Sequence, residues 1–201
     1  MATVVLLGPR DHGRPLTPDE FKTAQWQEGY HYELIHGRLY VSPLPDLPQE
    51  WIDVWLSQRL FLYSLQHPQV INFVSPKPRV ILPDAPGATQ PEPDLAAYRD
   101  FPRDLPVEQM DWREVSPVLV AEIISEDDPD KDLVRNVDLY LQVPSIREYW
   151  IFDPRASASR PTLLVYRRRG QRWQRVIRVP GGGTYTTRLL PGFTLVLDTR
   201  G

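Results

Sequence analysis

Two acidic side chains stand where their chemistry needs explaining. Glu122 interrupts an apolar run, with Val118-Leu119-Val120-Ala121 before it and Ile123-Ile124 after it. Side chains on a strand alternate between faces, so Glu122 shares a face with Val120 and Ile124. A lone carboxylate on such a surface is costly to bury unless a cation or several donors meet it. Asp94 follows Pro93 and heads a short apolar segment, Leu95 to Tyr98. If the two strands are neighbours, both carboxylates converge on one hard cation. Mg²⁺ accepts a few such oxygens and keeps waters for a phosphate to displace. It also polarises a phosphoryl oxygen and lowers the pKa of a bound water. A plainer alternative stays open, in which Glu122 is the buried partner of an arginine such as Arg38 or Arg79 and Asp94 caps a turn.

The rest of the chain bounds what else is open. Its 201 residues, 41% hydrophobic and 24% charged, suit one globular domain spanning residues 1–201. Cysteine is absent, which excludes disulfides, thiolate metal sites and cysteine nucleophiles. The four histidines, His12, His31, His36 and His67, show no metal-ligand spacing, and no Gly-x-Ser-x-Gly elbow is present. No apolar run reaches transmembrane length, and the first residues lack a signal peptide's basic flank. A cytoplasmic protein with no membrane contact is expected. A net charge of −3 gives no global pull on nucleic acid, so contact needs a local patch or a metal. Arg167, Arg168, Arg169, Arg172, Arg175 and Arg178 form the densest basic run, ordinarily a solvated hairpin and otherwise a surface that tracks phosphates. Lysines are scarce: Lys22, Lys77 and Lys131 are the whole set.

The elements that must position these groups follow from pattern. Thr17-Pro18-Asp19-Glu20 starts a short helix running to about Gln27. Tyr30–Ile35 and Arg38–Ser42 flank a His36-Gly37 turn. A main helix spans Gln49 to Gln66, with Trp51 and Trp55 as core. Strands follow at Val70–Val74 and Arg79–Leu82, then a Pro/Gly/Asp loop, then Leu95–Tyr98. The Arg99–Glu114 segment is polar, with one helical turn at most. Val118–Ser125 is the Glu122 strand. Asp128-Pro129 opens a helix to Leu141, with Leu133, Val134, Val137 and Leu141 inward and Asp132, Asn136 and Tyr140 in a row beside them. Glu148–Phe152 completes a parallel strand pair, and hairpins end the chain.

In order, Pro93-Asp94, Glu122-Ile123-Ile124-Ser125, Asp132-x-x-x-Asn136-x-x-x-Tyr140 and Pro144-Ser145-Ile146-x-Glu148-Tyr149 resemble the Uma-two family of restriction-endonuclease-like proteins. That family falls in the PD-(D/E)xK superfamily. Tyr32-Glu33-Leu34-Ile35-x-Gly37 resembles the family's opening hairpin. The likeness extends from Leu16 to Phe152, with Leu190-Pro191-Gly192-Phe193 also similar. It implies an α/β fold, a restriction-endonuclease-like mixed β-sheet with flanking helices and antiparallel hairpins at both ends. It further implies a Mg²⁺- or Mn²⁺-dependent endonuclease hydrolysing DNA phosphodiester bonds. Asp94 and Glu122 would bind the metal with the Ile123 carbonyl, and Glu33 would support them.

One position departs from that pattern. The superfamily lysine would fall at Ile124, and the family's relocated lysine aligns with Asn136, which is neutral. Lys131 and Arg135 are close in sequence but project from the neighbouring side of the helix, and Lys77 replaces the lysine if its proline-flanked loop folds over the site. Lys131 stands as a catalytic candidate, with Lys77, Arg135 and Tyr140 as substrate-binding candidates. The alternative is a catalytically degenerate nuclease-like protein that binds nucleic acid or a protein partner. A symmetric homodimer suits cutting two strands.

Overall fold

The computed structural model describes residues 6–82, 88–126 and 128–201; the expected Pro/Gly/Asp loop lies largely outside them. In chain order the elements are β1 (Leu6–Leu7), α1 (Pro18–Thr23), β2 (Gln25–Trp26), β3 (Tyr30–Ile35), β4 (Arg38–Pro43), α2 (Leu47–Gln66), β5 (Phe73–Pro76), β6 (Leu95–Tyr98), β7 (Leu119–Ile123), a π-helical turn (Lys131–Arg135), α3 (Asn136–Leu141), β8 (Glu148–Asp153), β9 (Thr162–Arg169), β10 (Arg172–Trp173), β11 (Ile177–Val179), β12 (Thr184–Thr186) and β13 (Thr194–Val196). The main sheet runs β10-β9-β8-β7-β6-β5, with β11 also on β9. It is the expected mixed sheet. β7 and β8 pair in parallel, with Glu122 opposite Ile151, while β6 lies antiparallel to β7 with Leu95 opposite Ala121.

Alternation along these strands sorts the core into two layers. Leu95, Ala97, Leu119, Ala121 and Ile123 pack with Ile52, Leu56 and Leu60 of α2. Ala96, Tyr98, Val120 and Ile124 pack with Leu139 and Tyr140 of α3. Glu122 belongs to this second layer by parity. A third, smaller core of Leu7, Leu16, Phe21, Leu34 and Leu39 seats the β3–β4 hairpin, whose turn is made by His36 and Gly37 at φ 50 and 69, the primed geometry that suits strand twist. Glu148 joins the C-terminal strands to the sheet, accepting from Trp150, Arg167, Tyr185 and Thr187.

Several boundaries differ from the sequence expectation. The Thr17 cap holds, with Glu20 N–H on its hydroxyl and Glu20 carboxylate on its N–H. α1 nevertheless stops at Thr23, because Gln25–Trp26 pair with Leu6–Leu7. α2 begins at Leu47, since Asp46 and Gln49 cap it reciprocally. β5 begins three residues later than expected and ends two later, in register with Tyr98 to Leu95. Arg79–Leu82 forms no strand beyond an isolated Leu82–Thr89 bridge. Lys77, at φ 48, turns the chain away before Pro78. The Lys131–Arg135 turn widens the helix, and the expected core face is corrected at Val134, which is 58% exposed, while Leu133 and Val137 pack half-buried against the second layer and Asp132, Asn136 and Tyr140 are buried. Trp51 is likewise half-exposed rather than core, and Trp55 is buried as expected.

Candidate active site

The C-terminal end of β7 opens into a cleft of about 430 Å³ between α2, the β3–β4 hairpin and the π-turn. Asp94 and Glu122 meet there on adjacent strands. The Asp94 N–H donates to Glu122 Oε2 at 3.3 Å, and the Ile123 N–H donates to Asp94 Oδ2 at 2.7 Å. Neither carboxylate is committed to an arginine by any ion pair among the described residues. Asp94 and Ile123 line the cleft, and Glu122 lies just beneath, fully buried. Gln49 on α2 donates to the Ile124 carbonyl at 3.1 Å, pinning the helix to this strand end. Asp53, one turn further, turns its carboxylate to the same cleft.

The helix after β7 sends two rows of side chains into this junction. Asn136 Nδ2 and the Tyr140 hydroxyl both donate to Glu122 Oε1, at 2.8 and 2.7 Å, and Asn136 also donates to Asp132. The neighbouring row, Lys131 and Arg135, meets Glu33. Arg135 donates to Glu33 Oε2 at 2.8 Å, the Lys131 ammonium lies 4.0 Å from the same oxygen, and the Glu92 N–H donates to Oε1 at 3.0 Å. The second terminal nitrogen of Arg135 is buried without an acceptor.

Acids crowd this space and their charges are unevenly balanced. Burial, reinforced by Asp132, pushes Glu122 well above the usual carboxylate range. Burial also lifts Asp132 to about 7 against the pull of Lys131, and lifts Asp53 to about 6 with Asp94 adding to it. Burial would lift Glu33 too, yet Lys131 and Arg135 overcome it and hold that carboxyl low. Burial opposes the Lys131 ammonium, but Glu33, Glu122, Asp132 and Asp94 outweigh it and raise its pKa. A site whose acids hold protons near neutrality is one that favours added positive charge.

The sequence-expected residues thus divide. Asp94, Glu122, Ile123, Glu33, Lys131 and Arg135 come together. Asn136 and Tyr140 join them from below. Both are wholly buried, so the expectation of Tyr140 as a substrate contact is corrected: its hydroxyl is spent on Glu122. Lys77 stands at the edge, its N–H on the Asp94 carbonyl and its ammonium 3.4 Å from His31 Nε2. Asp53 was missed, because on α2 it reads as one polar residue of an amphipathic helix. No local signal marks it, because its place at the cleft depends on α2 crossing the end of β7. Arg168 leaves the basic run, donating to the carbonyls of Tyr140, Leu141, Val143 and Ile146.

The donor set is all oxygen, the preference of a hard dication. Among the described residues no three His, Asp or Glu side chains stand close enough to hold an ion unaided, so backbone or water oxygens would have to complete its shell. No helix among them is long and apolar enough to cross a membrane.

No curated protein matches this chain. A crystal structure of a "putative nuclease belonging to DUF820" from Anabaena variabilis has the same fold, with a TM-score of 0.66 at 19% identity over 92% of this chain and 96% of that one. The profile of Uma2, described as "Putative restriction endonuclease", matches residues 18–199, and the chain belongs to that family.

Proposed function

We propose that the protein is a Mg²⁺- or Mn²⁺-dependent endonuclease that hydrolyses DNA phosphodiester bonds. The observation that carries this reading is the junction of Asp94 and Glu122 at the end of β7, linked by a hydrogen bond and free of arginine. Asp94, Glu122 and the Ile123 carbonyl would hold the ion. Once bound, it would lower the pKa of a water and polarise a phosphoryl oxygen.

The remaining roles belong to the chain. Asn136 and Tyr140 fix the rotamer of Glu122 through two donors on one oxygen. Lys131 supplies the fixed positive charge that the family position, Asn136, lacks, and such a charge stabilises the oxygens of a pentacovalent phosphorus. Glu33 holds Lys131 and Arg135 in place from the hairpin. Arg135 lines the cleft beside Lys131, and its positive charge would attract a phosphate. Two such sites in a symmetric homodimer suit both strands of a duplex.

Plasmid nicking in Mg²⁺, Mn²⁺ and EDTA tests the reading, with Glu122→Ala and Asp94→Asn as controls. Metal-dependent nicking that both substitutions abolish is expected. Equal nicking by wild type and Glu122→Ala would sink it.

A further inference from the structure

Helix α2 is apolar on two opposite faces. Ile52, Leu56, Leu60 and Tyr63 enter the core. On the other side Leu47, Trp51, Val54, Phe61, Leu62 and Leu65 are between 44% and 77% exposed. At 3.6 residues per turn these positions fall within a stripe about 100° wide. Gln58 occupies the one remaining place in it, and no charged residue interrupts it. The outer surface of a helix on a globular protein is ordinarily polar, and a contiguous exposed apolar patch of this extent marks an interaction site.

We propose that this stripe is the interface between two copies of the chain, joined through antiparallel α2 helices about a two-fold axis. Positions 47, 51, 54, 58, 61 and 65 alternate in steps of four and three, the seam of left-handed helix pairing. That alternation is the same from either end. An antiparallel pair therefore sets Leu47 on the partner's Leu65, Trp51 on the partner's Phe61 and Val54 on the partner's Gln58, each contact occurring twice, as a closed two-fold interface requires. The area is adequate. An aromatic side chain offers about 150–250 Å², so the exposed fractions amount to roughly 600 Å² per copy and roughly 1,200 Å² for the pair, the lower end of stable interfaces. A lipid surface suits the stripe poorly. Glu50, Asp53 and Arg59 are the charged residues of α2, and an interfacial helix needs basic flanks.

From the functional reading the proposal takes the pairing of two sites; the face itself is argued from α2 alone. Sedimentation velocity of the full chain is expected to give twice the 23.3 kDa chain mass, and Trp51→Glu with Phe61→Glu is expected to halve it. Should those substitutions impair folding, milder ones serve, since the chain has no cysteine. Val54→Cys mixed with Gln58→Cys is expected to give an oxidised covalent dimer at least tenfold more readily than Leu6→Cys, an exposed control remote from the stripe in sequence. A monomeric wild type overturns the proposal, whether or not it then floats with anionic phosphatidylglycerol vesicles. So does a dimer that neither charge nor cysteine substitution detects, which would leave paired nuclease sites standing on another face. An intact α2 dimer without metal-dependent nicking would instead remove the nuclease reading alone.

Discussion

The Tyr140 hydroxyl donates to Glu122 Oε1 at 2.7 Å from a position with no solvent exposure. That bond favours the charged form of a carboxylate that burial otherwise drives toward protonation. Tyr140→Phe keeps the ring against Tyr149 and removes only the donor. A hydrogen bond to a charged group contributes about 1.5–3 kcal/mol, so the Mg²⁺ concentration for half-maximal nicking should rise by roughly tenfold or more at pH 7. Because the proton competes with the ion, the gap from wild type should narrow at pH 9. A Mg²⁺ titration at both pH values checks this; an unchanged midpoint would show that Tyr140 is only core.

The Lys131 ammonium lies 4.0 Å from Glu33, and its charge acts on Glu122 as well. Lys131→Met should lower the single-turnover nicking rate by about 10²–10³, the usual loss for one preorganised charge donor. Metal affinity measured by calorimetry should hold or tighten, since a competing cation is gone. Adding Asn136→Lys restores an ammonium beside Glu122 Oε1 and should recover at least tenfold of the loss. No recovery, with the double variant folded, would place the missing charge elsewhere.

Much of this site was readable from residue order, and the part that was not has a physical cause. The parity of β7 put Glu122 with Val120 and Ile124, and the structure packs all three against the helix that follows. Helical spacing put Asp132, Asn136 and Tyr140 in one row, and that row turned out to be linked to Glu122. What failed was Val134 as a member of the buried face; Leu133 and Val137 do pack inward. Hydrophobicity favours Val134 inward, but a buried carboxylate needs donors, and satisfying Glu122 turns the polar row in and leaves Val134 out. Asp53 was invisible for a different reason. Its role depends on α2 crossing the end of β7, a contact fixed by Gln49 and Ile124, 75 positions apart, that no local pattern encodes.

Arg168 tests whether the basic run of the C-terminal hairpin tracks a phosphate backbone. Its guanidinium closes the C-terminal end of α3 on four carbonyls, those of Tyr140, Leu141, Val143 and Ile146. Arg168→Ala strands these acceptors and should cost about 1–3 kcal/mol, or on the order of 5 °C in Tm. The salt dependence of DNA binding by the folded fraction should stay as in wild type, whereas loss of a phosphate contact lowers that slope by about one. A fallen slope with an unchanged Tm would return Arg168 to the nucleic-acid surface.

Without metal, the crowded acids should make the protein less stable as pH rises through neutrality. Asp53 sits at about 6, and Asp132 and Glu92 at about 7, chiefly through burial, against roughly 4 in an unfolded chain. Between those values the folded form keeps protons that the unfolded form has released. The stability these three groups contribute is therefore complete below about pH 4 and is lost as pH climbs through 6 and 7. Glu33, held low by Lys131 and Arg135 in spite of burial, acts in the opposite sense, but its change is over by about pH 4.5. His31, lowered by burial and Lys77, opposes the trend up to about 6.5 as a single group against three. Thermal melts in EDTA should show Tm falling between pH 5 and 8. Asp53→Asn, which cannot ionise, should flatten the fall and exceed wild type at pH 8 by on the order of 5 °C. Millimolar Mg²⁺ should restore the wild type at pH 8 and do far less for Asp94→Asn, because the ion takes the place of the protons those acids otherwise hold. A wild-type Tm that rises from pH 5 to 8 in EDTA would mean that the cleft already balances its charge without an ion.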